Sequence, residues 1–323
     1  SKGIFWFRLP LPMALDHVNV YVIDEDDSWT IIDTGFWSKK TQSIWSEIKE
    51  KWFNDKPIGK VIVTHHHPDH VGLAGWFQTE FKAELWMSRT AWLMARMLRL
   101  DYQKLPTEET INFWRRAGMD DLILNERATG KPFNFGDSVH EMPLGFRRII
   151  DGEKIILGNR SWIVRVGNGH APEHLTLWCE DEPIVIAGDQ IISSISPNLG
   201  VYATEPEADP VQEWLMSCEA FLPFSNDKQL VLPGHKLPFY GLPHRLKQLI
   251  ENHHSALKRL VAFLKEPQTA VDCFPVLFNR KISDNEYGLA LVEAVAHLNH
   301  LYRKKIVKRE LNSKGAYVYT LKN

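Results

Sequence analysis

The chain has 323 residues, 44% of them apolar, which is more than one typical domain needs and enough for a sizeable core. Lysine and arginine number 38 against 40 acids, so the net charge of −2 excludes a uniformly basic nucleic-acid binder and an acidic tail protein. No run approaches the roughly 18 uninterrupted apolar residues of a membrane span, and the first segment breaks at prolines, so a cytoplasmic protein with no membrane partner is expected.

The first third alternates strand and helix. Residues 3–9, 17–24 and 28–34 are short, rich in β-branched and aromatic residues and bounded by Pro, Asp or Gly, which predicts strands. Residues 38–54 put Ile44, Trp45, Ile48 and Trp52 on one helical face. Lys60–Thr64 is a continuous apolar run expected to be a strand buried on both faces. From Arg89 to about Gly118 the pattern is helical, with tryptophan, methionine and arginine mixed. Five further strands are predicted at 154–157, 161–166, 174–179, 183–188 and 230–234. Asp209 and Pro210 read as the N-cap and first residue of a helix between the last two. Residues 244–264 form one long amphipathic helix, after which a helix, a second helix and two strands around an NSKG turn outline a winged helix. Two β-rich halves with interleaved helices imply a layered α/β sandwich.

Chemistry concentrates in the histidines, 14 in all, whereas the three cysteines lie far apart and form no thiolate metal pattern. Directly after the 60–64 strand comes His65-His66-His67-Pro68-Asp69-His70. Alternate residues His65 and His67 can converge on one cation while Asp69 and His70 turn toward a second; His66 points the other way. A solvated histidine loop is the alternative, against which stand the interrupting Pro and Asp and the preceding strand. Three more strand ends carry ligand-type residues: His170 and His174 in GHAPEH, Asp189 in GDQ and His235 in PGH. Each alone is more often a turn residue or a helix cap than a ligand. Four in order are not independent accidents.

These motifs, with IIDTG at 31–35 before them, resemble the metallo-β-lactamase-fold superfamily over roughly residues 5–240. The resemblance implies a four-layer αββα sandwich with a dinuclear centre at one edge. It implies that His65, His67 and His170 bind one metal, Asp69, His70 and His235 the other, and Asp189 both. A bridging carboxylate is similar to that of glyoxalase II-like hydrolases, lactonases and tRNA-processing nucleases, and the HxHxDH motif differs from the HxExDH of flavodiiron oxidoreductases, so hydrolysis is expected rather than redox chemistry. Two divalent ions are expected, zinc first, with iron or manganese compatible with the same donors. Asp69 would also orient the attacking metal-bridging hydroxide. Asp33 is expected either to accept from a ligand imidazole or to cap the helix after it, and His174 to support the ligands from behind.

Within the superfamily the chain resembles glyoxalase II-like hydrolases with a C-terminal winged helix, a group whose animal relative is a single-strand endoribonuclease. The expected organisation is a catalytic domain at 1–243 with a helical insertion at about 88–135, a linking helix at 244–268 and a winged-helix-like domain at 269–323. Two substrate classes follow. The insertion carries Trp92, Trp114, Arg96 and Arg99, which would suit an apolar acyl group on an anionic carrier and predict an ester, thioester or lactone hydrolase acting on a small molecule. Those helices serve equally well as sandwich packing or as a homodimer face. The alternative is RNA cleavage, suggested by Arg303, Lys304, Lys305, Lys308, Arg309, Lys314 and Lys322 interleaved with Tyr317 and Tyr319 in the tail.

Overall fold

The computed structural model describes residues 3–13, 15–53 and 55–322. In chain order its elements are β1 (Ile4–Pro10), β2 (His17–Asp24), β3 (Trp29–Ile32), α1 (Lys39–Trp52), β4 (Ile58–Ile62), α2 (Pro68–Val71), α3 (Ala74–Phe81), β5 (Glu84–Met87) and α4 (Arg89–Leu100). There follow α5 (Glu108–Arg116), α6 (Asp121–Thr129), β6 (Arg147–Arg148), β7 (Lys154–Leu157), β8 (Arg160–Gly167), β9 (His174–Cys179), β10 (Ile184–Gly188), α7 (Pro210–Phe221) and β11 (Leu230–Pro233). The chain ends with α8 (Leu242–Phe263), α9 (Phe274–Phe278), α10 (Tyr287–Arg303), β12 (Val307–Leu311) and β13 (Tyr317–Leu321). They sort into two compact units: Ser1–Tyr102, Phe133–Pro197 and Phe224–Arg245 make the first, and Gln103–Pro132, Asn198–Pro223 and Leu246–Asn323 the second. The helical stretch after Arg89 is thus divided, α4 in the first unit and α5 and α6 in the second.

The first unit contains two mixed sheets, ordered β1-β2-β3-β4-β5-β6 and β11-β10-β9-β8-β7. Period-2 alternation explains how the central strands serve two cores. Val18, Val20 and Val22 of β2, with Ile31 and Val61, pack against Trp45 of α1, Phe77 of α3 and Ala91 of α4. Tyr21, Ile23, Ile32 and Ile62 point the other way and meet Trp162, Val164, Leu175 and Ile186 of the second sheet. Each such fully buried aliphatic side chain contributes about 1.5–3 kcal/mol relative to exposure. Strands buried on both faces therefore read as unbroken apolar runs.

Several predicted boundaries shift, and for two of them the local reason is visible. β4 ends at Ile62 because the Thr64 N–H goes to the Asp33 carboxylate rather than to a neighbouring strand. The helix expected from Thr269 begins only at Phe274, since Asp272 takes both the N–H and the hydroxyl of Thr269 in a turn. The helix at 38–54 forms with Ser38 as cap and Trp45 and Ile48 buried, while Trp52, at its last turn, is exposed. The sequence pattern does not mark α2, α3, β5, β6 and α6, which are too short or too weakly periodic to stand out.

In the second unit α10 carries the core, with Leu291, Ala294, Leu298 and Leu301 buried, and α7 opens on Asp209, whose side chain accepts from the Gln212 N–H. β12 and β13 pair antiparallel around a turn in which Asn312 Oδ1 accepts from the N–H groups of Lys314 and Ala316, and Gly315 takes φ +78°. Among the described residues no helix is long and apolar enough to cross a membrane, and no disulfide joins the three cysteines.

Candidate metal centre

Parallel pairing of β3 with β4 and of β10 with β11 brings the C-terminal ends of those strands to one edge of the sandwich. The same edge receives the β8–β9 connection, fixed there by the Leu175 N–H, which donates to the Thr64 carbonyl at 2.8 Å. Every motif picked out by spacing therefore arrives together. His65 Nε2 lies 3.0 Å from His67 Nδ1 and 3.3 Å from His170 Nε2. Asp69 and His70 follow on α2, and Asp69 Oδ2 is 3.5 Å from His70 Nε2 and 3.2 Å from His235 Nε2. Asp189 stands between the groups: Oδ2 is 3.2 Å from His235 Nε2 and 3.5 Å from His170 Nε2, and Oδ1 is 3.4 Å from His70 Nε2. Three overlapping sets could each hold a cation: His65, His67 and His170; His65, His70 and Asp189; Asp69, His70 and His235.

The backs of the rings decide which nitrogen faces inward. Asp33 Oδ2 accepts from His70 Nδ1–H at 2.8 Å and from the Thr64 hydroxyl at 2.8 Å, while Oδ1 accepts from the Thr64 N–H. His65 Nδ1–H donates to Thr64 Oγ1 at 3.0 Å, and His235 Nδ1–H to the His17 carbonyl at 2.7 Å. In all three rings Nε2 is the nitrogen turned toward the centre. Of the two expectations for Asp33, the imidazole contact is the one made; the cap of α1 is Ser38. His174 stacks on His65 with centroids 4.5 Å apart and accepts the Asp189 N–H at 3.1 Å. Two glycines are obligatory. A Cβ at Gly188, whose φ is +49°, would fall 2.6 Å from the His174 ring, and one at Gly234 would fall 2.2 Å from Asp189 Oδ1.

Burial and mutual proximity hold His65, His67 and His174 well below the ordinary imidazole range, so these rings are neutral. At His70 burial pulls the other way, but the carboxylates of Asp189, Asp69 and Asp33 outweigh it and push the pKa well up. His235 is likewise lifted to about 10 against its burial, by Asp189 and Asp69. Desolvation would raise Asp189, yet His235 and His70 hold it well below the usual carboxylate range. The residues fit a divalent cation pair on two counts. His70 Nε2 and Asp189 Oδ1 are buried with no hydrogen-bond partner, a cost of about 1–3 kcal/mol each that a cation removes. The ring nitrogens of His65, His67 and His170 converge, and with His65 and His67 neutral a shared cation is the partner that satisfies their lone pairs.

Residues 13–235 match the family model of the metallo-beta-lactamase superfamily, and residues 257–322 that of the metallo-beta-lactamase-like C-terminal domain. The chain belongs to the metallo-β-lactamase superfamily. It is similar over its whole length to "Probable metallo-hydrolase YqjP" of Bacillus subtilis (strain 168), at 24% identity and covering 99% of that protein. Among solved structures it is similar to a beta-lactamase domain protein from Burkholderia ambifaria, with TM-score 0.91, 31% identity, and coverage of 100% of this chain and 93% of the other. A metallo-beta-lactamase family protein from Thermus thermophilus superposes with TM-score 0.78 at 25% identity, covering 100% and 99%. The α/β metallo-β-lactamase fold with its C-terminal domain, and a metallo-hydrolase with a His/Asp metal site, are therefore the properties of this chain.

Three of the four residues expected to contact substrate make contacts within the first unit. Trp92 stacks on Phe146 with centroids 4.6 Å apart, Arg96 donates to the Met142 carbonyl, and Arg99 packs against Gly136. Trp114 is half-buried on α5 in the second unit. The exposed face of α4 instead carries Leu93, Met97 and Leu100. His66 is buried, is pushed down to about 4 by desolvation, and joins none of the three cation-holding sets. Sequence reasoning missed Thr64, His17 and Glu173. The last anchors α4 beside the centre, its Oε2 accepting the Thr90 N–H at 2.7 Å. Thr64 could have been found as the polar residue ending an apolar strand; nothing in the sequence marks His17.

Proposed function

We propose that this metallo-hydrolase cleaves an ester, thioester or lactone at a dinuclear centre, in the manner of the glyoxalase II-like hydrolases. The supporting observation is Asp189, whose two oxygens reach imidazoles of both triads. His65, His67 and His170 would hold one ion, Asp69, His70 and His235 the other, with zinc, iron or manganese compatible with five imidazoles and two carboxylates. When bound, such a pair lowers the pKa of water from about 15.7 toward 7 and polarises the oxygen of the group under attack. Asp69 is the most open carboxylate of the set, its side chain 18% exposed, and its Oδ1 lies outside the imidazole contacts, so it would orient the attacking water and accept its proton. Asp33, Thr64 and His17 keep the rings in register.

The carbonyl class is supported by α4. Its first turn is tied by Glu173 to the loop carrying His170, and its exposed Leu93, Met97 and Leu100 offer an apolar wall to an acyl chain. The order α9, α10, β12, β13 supports a winged-helix reading of the C-terminal part, but four of its seven cations have partners within the protein. Arg303 donates to the Glu207 carbonyl, Arg309 pairs with Glu207, Lys308 with Glu310 and Lys314 with Asp121. That weakens the RNA reading. The test is a panel of p-nitrophenyl acetate and octanoate, an acyl thioester, a lactone, bis-p-nitrophenyl phosphate and a single-stranded RNA, run on the metal-loaded protein and on Asp189→Ala. Turnover confined to carbonyl substrates, lost with metal content in the variant, is expected. Phosphodiester cleavage without any carbonyl hydrolysis would overturn the reading.

A further inference from the structure

The second unit has a cavity of about 350 Å³ bounded by α5, the 203–207 segment, α10 and the β12–β13 hairpin, all of them parts of that one unit. Phe113, Tyr317 and Tyr319 give it aromatic surface, and Arg116 and Arg309 give it two guanidinium groups. Both cations attend the same ring: Arg116 lies 4.8 Å and Arg309 4.2 Å from the Tyr317 centroid. Arg309 is also paired with Glu207 at 3.0 Å, whereas Arg116 is exposed and has no ion pair among the described residues. A carboxylate at Glu109 stands on the rim, two turns of α5 before Arg116, so the anion-binding end is the Arg116 side. Burial pushes the Tyr319 hydroxyl up to about 12, which keeps it neutral.

Asn299 supplies the second, independent observation. It is 1% exposed and lines the cavity, and its Nδ2 donates to the carbonyls of Pro206 at 2.9 Å and Ala208 at 3.0 Å. Its Oδ1 is buried with no partner at all. A buried acceptor left open costs about 1–3 kcal/mol, and only a donor can satisfy it. Aromatic faces, a free guanidinium and an open amide acceptor form a recognition set: a stacking ring, an anion and an N–H. The volume, near the lower end of small-molecule sites, admits one ring system with an anionic substituent and no long chain.

We infer that this cavity binds a small anionic heteroaromatic molecule of nucleoside-monophosphate size, its ring stacked beside Tyr317, its anion on Arg116 and an N–H donated to Asn299 Oδ1. The site is separate in chemistry from the metal centre and does not depend on which substrate the centre hydrolyses.

Isothermal titration of the full chain with AMP, GMP, CMP and UMP tests it, with 1-naphthyl phosphate as a ring-plus-anion probe that has no N–H. Saturable binding of at least one nucleotide is expected, weakened about tenfold or more by Arg116→Glu and retained in Asp189→Ala, with naphthyl phosphate binding more weakly. No saturable binding at millimolar nucleotide would overturn the inference. So would binding indifferent to Arg116→Glu, binding lost in Asp189→Ala, or naphthyl phosphate equal to the best nucleotide. A short oligoribonucleotide that binds more tightly than any mononucleotide, with the same Arg116 dependence, would make the ligand an RNA terminus and overturn the small-molecule assignment.

Discussion

Asp33 and His70 are 37 positions apart, yet the carboxylate Oδ2 receives the imidazole Nδ1–H at 2.8 Å in full burial. The carboxylate is surrounded by donors only, since the Thr64 N–H and hydroxyl complete its shell. It sits at φ +61°, a left-handed conformation that Asp and Asn tolerate better than other residues with a Cβ. This one side chain thereby fixes His70 directly and His65 through Thr64.

Asp33→Asn should accordingly keep the backbone and break the shell, because an amide must point an N–H at one of those donors. Metal affinity should fall about 10- to 100-fold while the thermal unfolding temperature of the metal-free protein changes little. Metal content after dialysis against a graded chelator reads the effect. Wild-type retention of both ions would remove Asp33 from the ring-orienting role.

Specificity for the acyl group should respond to Leu93 and Met97 and not to Trp92. Leu93→Ser with Met97→Ser removes exposed apolar surface, so the ratio of octanoate to acetate kcat/KM should drop by about 10- to 200-fold, or roughly 1–3 kcal/mol. Trp92→Ala instead empties the stack on Phe146 and should appear as lost stability, on the order of 3 kcal/mol for a packed tryptophan. A double variant with an unchanged chain-length profile would show that α4 does not wall the substrate.

The second unit should lose stability on mild acidification. His253 and His297 share a hydrogen bond at 3.2 Å, and burial holds their pKa values down at about 3 and about 4. Both stay neutral when folded while the unfolded chain takes up protons below about 6.5, so stability falls as pH drops from there toward 4. Glu293 works in the opposite sense: burial lifts it to about 7, so it favours the folded state at low pH and loses that advantage as pH rises from about 4.5 to 7. Two histidines outweigh one carboxyl, leaving a net loss of about 1.4 kcal/mol per pH unit between roughly 6.5 and 4.5. Unfolding temperatures across that range should decline for the wild type and flatten in His253→Gln. A flat wild-type profile would contradict the neutral-histidine pair.

Much of this molecule was legible in one dimension. The strands β2, β7 and β9 match their expected bounds as short runs rich in β-branched, aromatic or apolar residues, and α7 announces itself through Asp209 and Pro210. The seven donors stood out because each lies at or just beyond a strand end, and a metal centre at a sheet edge demands that position. Their chemistry is written in residue type and spacing.

What only the tertiary structure decided is which atoms of those residues face inward and what stands behind them. The inward-facing Nε2 atoms of His65, His70 and His235 are selected by Thr64, Asp33 and His17; the IIDTG motif offered Asp33 with two roles and only the fold chose between them, while Thr64 and His17 went unnamed because a second contact constrains direction and not spacing. The contacts of Trp92 and Arg96 were equally unreadable from composition: helix phase places Trp92 on Phe146 and Arg96 on the Met142 carbonyl and leaves Leu93 and Met97 outward. Asn299 is the extreme case. In the sequence it is one polar residue within an apolar helix; only folding brings the Pro206 and Ala208 carbonyls to its amide nitrogen and leaves its oxygen open. Pattern specifies which residues are buried, and packing geometry specifies which of their polar atoms remain to be satisfied.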